Sequence, residues 1–74
     1  MIDREKVCKQ FGGYVRQQRR WAGLTQKQLG KEVSLHQAQI SRVERGEVCP
    51  RLDTIVGLLA CLGADPREML EAID

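Results

Sequence analysis

Apolar residues along this chain recur at helical spacing, in short runs separated by glycine, proline and polar turns, and this predicts an all-α fold. Val7, Phe11, Val15 and Ala22 define one such face on a helix over residues 4–22, with Asp3 to cap it and Gly23 to end it at positive φ. Gly12 and Gly13 lie inside that pattern, each costing about 1 kcal/mol relative to alanine. Either another helix approaches closely there, or the helix begins near Phe11. Thr25-Gln26-Lys27-Gln28 reads as a capping box, in which the Thr25 hydroxyl accepts from the Gln28 backbone and the Gln28 side chain reaches back. Leu24 and Leu29 flank that cap at staple positions, and Leu29 and Val33 point inward. A third helix is expected over about 37–45, ending at Gly46, with Ile40 and Val43 inside and His36 competing with Ser34 as its cap. Pro50 disfavours helix at Cys49, so "GEVCPR" is a loop. A fourth helix runs from Leu52 to Leu62, with Leu52, Ile55, Leu59 and Leu62 on one face, Val56 and Leu58 widening it, and Gly63 ending it. Asp65-Pro66-Arg67-Glu68 opens a fifth, whose apolar side is Met69, Leu70 and Ile73.

Five short helices around one core make a single domain over residues 1–74, a length that supports one domain and no more. No apolar run approaches the roughly 20 residues that span a bilayer, and no charged-then-apolar leader opens the chain. No membrane association is expected, and the expected location is the cytoplasm. Cys8, Cys49 and Cys61 are far apart in sequence and form no C-x-x-C, so three reduced thiols are expected, with Cys61 in the core. His36 is the only histidine, which leaves no metal set at usable spacing. Trp21 is expected to be partly buried.

Charge changes the picture. Residues 1–46 carry ten Lys/Arg and four Asp/Glu, a balance of +6, whereas residues 47–74 carry two against six, a balance of −4. A basic part joined to an acidic part suggests a polyanion on one side. The outer face of the third helix agrees, because Gln37, Ala38, Gln39, Ser41 and Arg42 replace the Glu/Lys mixture of an ordinary solvated helix. A major groove about 12 Å wide admits one α-helix, where glutamine pairs with adenine, arginine with guanine, and alanine meets a thymine methyl. Two helices joined by a short turn, the second presenting such groups, form the helix-turn-helix pattern.

The stretch "GLTQKQLGKEVSLHQAQISRVERG" resembles the helix-turn-helix of the phage-repressor (Cro/Xre-type) family, with the motif at about residues 25–45. "FGGYVRQQRRWAG" is similar to that family's first helix, and "PRLDTIVGLLACLGADPREML" to its fourth and fifth. The resemblance implies a five-helix, lambda-repressor-like domain. It implies base contacts from Gln37, Ala38 and Arg42, with Gln39 and Ser41 beside them, and contacts to the DNA backbone from Gln26 and Arg45. Lys27 and His36 are further candidates for the backbone. Arg19 and Glu44 match the pair that ties the first helix to the third. Ser34 stands where the family has glycine at positive φ, Gly30 replaces a small alanine at a tight contact, and Gln18 falls where leucine is frequent.

The expectation is therefore a small transcriptional regulator, a repressor before an activator. It would bind double-stranded DNA at a pseudo-palindromic operator, as a homodimer through helix 5 and the end of helix 4. No cofactor is expected. An antitoxin or adaptor, whose main business is a partner protein, is the alternative. No nucleophile–base arrangement is visible, so an enzyme is not expected.

Overall fold

Capping chemistry sets most of the helix starts. The Asp3 carboxylate accepts from the Lys6 N–H, Thr25 and Gln28 exchange both bonds of a capping box, and Asp65 accepts from the Arg67 N–H ahead of Pro66. In the computed structural model, which describes residues 1–73, the helices are α1 (Arg4–Trp21), α2 (Gln26–Glu32), α3 (Gln37–Glu44), α4 (Leu52–Leu62) and α5 (Pro66–Ala72). Gly23, Gly46 and Gly63 all take positive φ just beyond α1, α3 and α4. All five elements stand where the apolar spacing puts them.

α3 packs against both α2 and α1, while α4 and α5 close over α1 and α4 also meets α2. The core is Phe11 and Val15 of α1, Leu29 of α2, Ile40 and Val43 of α3, and Leu58 of α4, with Met69 and Ile73 packed at its edge. Gly12 answers the question its position raised. A Cβ there would fall 2.1 Å from the Val43 carbonyl oxygen, so α1 is continuous and α3 ends against its bare backbone. Gly13 meets nothing within 4 Å. Gly30 also serves a close approach, but to the turn: its Cβ would lie 2.4 Å from the Leu35 carbonyl oxygen. Ser34 takes φ of 59°, the left-handed region a glycine would occupy with less strain.

Five inward assignments fail, each for a geometric reason. Leu52 is 76% exposed because it opens α4 beyond the reach of the core, and Val56 lies on the same outer stripe while Leu58 is fully buried. Trp21, expected to be partly buried, is 73% exposed at the last residue of α1, and Ala22 beside it is exposed too. Leu70 faces outward from α5.

Three separate thiols are not what the fold builds. The Cys8 and Cys49 sulfurs form a disulfide, with Cα atoms 5.3 Å apart, within the ordinary range. Cys61 is exposed, not core. Tyr14, between α1 and α5, buries its hydroxyl without a hydrogen-bond partner among the described residues. Burial first, and then the Glu68 and Asp65 carboxylates, hold its phenol above the usual range.

Two outcomes check this packing. Gly12→Ala should lower unfolding free energy by about 1–3 kcal/mol, whereas Gly13→Ala should be neutral or raise it by up to about 1 kcal/mol. Urea titrations showing equal effects would refute the close approach. With its cysteines 41 positions apart, the cross-link should contribute about 4 kcal/mol by loop-closure entropy. Dithiothreitol, or Cys8→Ser, should remove most of that, and an unchanged urea midpoint in both cases would refute the pairing.

Candidate nucleic-acid interface

α3 is short and amphipathic, and its two faces are held by different means. Ile40 and Val43 are buried in the core, so Gln37, Ala38, Gln39 and Arg42 are turned outward and exposed, with Ser41 half-buried at the edge. Gln26, Gln37, Ala38, Ser41, Arg42 and Arg45 line one shallow surface hollow. Six of the residues named from the sequence are thus brought together across α2 and α3. Lys27 and His36 are exposed at the amino ends of α2 and α3, outside that hollow.

Glu44 fixes the orientation of this face. Its side chain is 1% exposed and that of Arg19 11%. The two carboxylate oxygens accept from Arg19 Nε at 2.6 Å and Arg19 Nη2 at 3.1 Å, a bidentate pair. Gln26 Nε2 donates to Glu44 as well, at 3.1 Å, and Arg19 Nη1 donates to the Leu24 carbonyl at 2.8 Å. One buried carboxylate therefore ties α1, the α1–α2 turn, α2 and α3 together. Arg19 and Glu44 make the contact the sequence implied. Gln26 has one end of its amide committed to Glu44, which presents the rest of the group at the rim of the hollow.

Two further side chains carry local duties that the sequence reading did not assign. Gln39 Oε1 accepts from the His36 N–H at 2.8 Å, closing half of a capping box at the start of α3. The His36–Gln39 spacing was the available signal, masked because Ser34 and Gln37 offer the same spacing two residues earlier. Gln39 keeps its amide nitrogen for an outside partner. Arg45 Nε lies 3.3 Å from the Ser41 carbonyl and 2.9 Å from the Glu47 carboxylate. That exposed pair is worth under about 1 kcal/mol, so a phosphate can replace it. Arg42 has no ion-pair partner among the described residues.

No group of His, Cys, Asp and Glu among the described residues could hold a metal ion, and none of the helices described is long and apolar enough to cross a membrane.

The helix-turn-helix domain family matches residues 10–72 of the chain. An uncharacterized HTH-type transcriptional regulator of Haemophilus influenzae is 42% identical over 45 residues, 61% of this chain and 46% of that protein. The chain thus spans about half the length of this curated relative. Among solved structures, the clp gene regulator ClgR of Corynebacterium glutamicum has a TM-score of 0.85 at 21% identity, over 90% of this chain and 71% of its own, a likeness of fold. The restriction-modification controller protein C.AhdI of Aeromonas hydrophila has a TM-score of 0.77 at 32% identity, over 84% of this chain and 94% of its own. PlcR of Bacillus thuringiensis, solved with the peptide PapR7 and DNA, has a TM-score of 0.77 at 34% identity, over 88% of this chain and 23% of its own.

Arg19→Ala should destabilise the domain by about 3–5 kcal/mol, because it strands a buried carboxylate. Arg67→Ala, which breaks an exposed pair with Asp65, should change stability by less than about 1 kcal/mol. Similar thermal shifts for the two variants would contradict the role given to Glu44.

Proposed function

The chain belongs to the Cro/Xre-type helix-turn-helix family, and on that premise we propose that it regulates transcription by reading double-stranded DNA with α3. The observation that carries this reading is the shared hollow of Gln26, Gln37, Ala38, Ser41, Arg42 and Arg45, on a helix whose inner face is locked by Glu44. Gln37 is suited to an adenine, Ala38 to a thymine methyl and Arg42 to a guanine. Gln39 and Ser41 lie beside these. Gln26, Lys27, His36 and Arg45 contact the sugar-phosphate backbone, which fixes register without reading sequence. The PlcR structure, whose fold this chain shares, contains DNA and supports the assignment.

One recognition helix covers few base pairs, so we take the active species to be a homodimer on a pseudo-palindromic operator, a single folded unit in each protomer. An apolar groove lined by Val7, Ile55, Met69, Leu70 and Ile73 supports contact through α5, with Ile55 from the first turn of α4 rather than from its end. Repression needs only occupancy of a site, whereas activation also needs a contact to polymerase, so repression is the reading preferred. The role is binding, without catalysis or cofactor. A role on DNA is one for the cytoplasm. The same groove also suits an antitoxin or adaptor that covers it with a partner protein. A chain that stays monomeric on sedimentation would favour that second reading.

Selection of sites from random duplex DNA tests the proposal. The expected product is two half-sites about one helical turn apart, with A·T pairs under Gln37 and a G under Arg42. Arg42→Ala should relax preference at one position per half-site and weaken binding by roughly 1–3 kcal/mol. An equal loss of affinity for every sequence would refute base reading by Arg42.

A further inference from the structure

Lys6, Lys9, Gly13, Arg16 and Arg20 follow one another along α1 at alternating steps of three and four residues, and all are exposed. At 3.6 residues per turn that spacing puts them on one face. The face runs about 21 Å, a length over which duplex DNA carries roughly twelve phosphate charges. None of the four cationic side chains makes an ion pair among the described residues. The nearby acid Asp3 is engaged by the backbone N–H of Lys6, and Glu5 borders the face at its amino end.

The placement of this face follows from the seam between α1 and α3. Gly12 and Arg19 of α1 meet Val43 and Glu44 of α3 along that seam. On α1, the core residues Phe11 and Val15 lie to one side of it, so Lys9, Arg16 and Arg20 lie to the other. On α3, Ile40 and Val43 lie on the core side, so Ser41 and Arg45 lie opposite. The outer surfaces of both helices therefore open on the same side. Lys9 confirms the junction, because a Cβ on Gly46, the residue after Arg45, would fall 2.4 Å from the Lys9 Cγ.

We propose that the Lys6–Lys9–Arg16–Arg20 face of α1 is a second contact surface, which takes the phosphate backbone of duplex DNA flanking the bases under α3. The inference rests on the DNA-reading function above. Continuity with the Arg45 edge of the recognition face favours nucleic acid over an acidic protein. The surface adds affinity and salt dependence and carries no sequence information, since phosphates are alike. Gly13 leaves a gap in the middle of the stripe, with open space where its side chain would be.

The test compares wild type, the quadruple variant Lys6→Gln/Lys9→Gln/Arg16→Gln/Arg20→Gln, and Gly13→Lys. Each is titrated over a range of salt with the selected site embedded in a longer duplex. All four substituted side chains are exposed, and matching circular dichroism melts would confirm that the folds agree. The quadruple variant should keep its base preference, while the slope of log K against log salt becomes shallower by about 1.8 or more per protomer, at 0.9 per phosphate. Gly13→Lys should steepen the slope by about 0.9 and tighten binding several-fold in low salt. Unchanged slopes in both variants, against a wild type that binds, would overturn the surface and leave an acidic protein as its occupant. A changed base preference in the quadruple variant would overturn it too. A wild type indifferent to every duplex would overturn the DNA reading itself, and this surface with it.

Discussion

A carboxylate with almost no solvent is the constraint on which this fold turns. Glu44 sits at the end of α3, and water cannot reach it to satisfy its charge. Arg19 and Gln26 must do so, from two other helices. Such a group is costly unless geometry is met at every partner, and so it selects one arrangement of α1, α2 and α3 over its neighbours. Hydrophobic burial alone would tolerate α3 sliding or rotating by a fraction of a turn. A buried ion pair that also takes a glutamine amide tolerates neither.

The backbone is cut to suit that arrangement. Gly12 lets the carbonyl end of α3 reach α1, and Gly30 lets the turn before α3 fold back on α2, where the Leu35 N–H donates to the Gly30 carbonyl at 2.8 Å. A side chain at either position would push α3 outward by more than the tolerance of a hydrogen bond. Ser34 works against this economy of space, because its φ of 59° strains a residue with a Cβ. The turn keeps its shape because α2 and α3 hold both of its ends.

The helices were legible because their signals are local. Asp3, Thr25, Asp65 and the three positive-φ glycines each act within four residues of the boundary they set. The candidate interface was legible for a related reason: residues 37–42 lie on one helix, and Ile40 fixes which way the rest point. What failed depends on where an element ends in space. Apolar spacing places Leu52 on the same stripe as Ile55, but cannot say that the core stops one turn short of it. Trp21 is the same case at the end of α1. The Cys8–Cys49 contact joins residues separated by 41 positions, and no local pattern reports a distance of that kind. The capping bond from the His36 N–H to Gln39 went unread because two overlapping capping patterns compete around His36.

That covalent bond has a topological consequence. The segment from Cys8 to Cys49 contains most of α1 and the whole of α2 and α3, so the helix-turn-helix lies inside a closed ring, with α4 and α5 attached as a tail. A protease that nicks the ring once, for instance in the loop before α2, produces two polypeptides that remain one particle. They part only when thiol exchange opens the ring. While the bond stands, backbone cleavage inside the motif and physical loss of the motif are separate events.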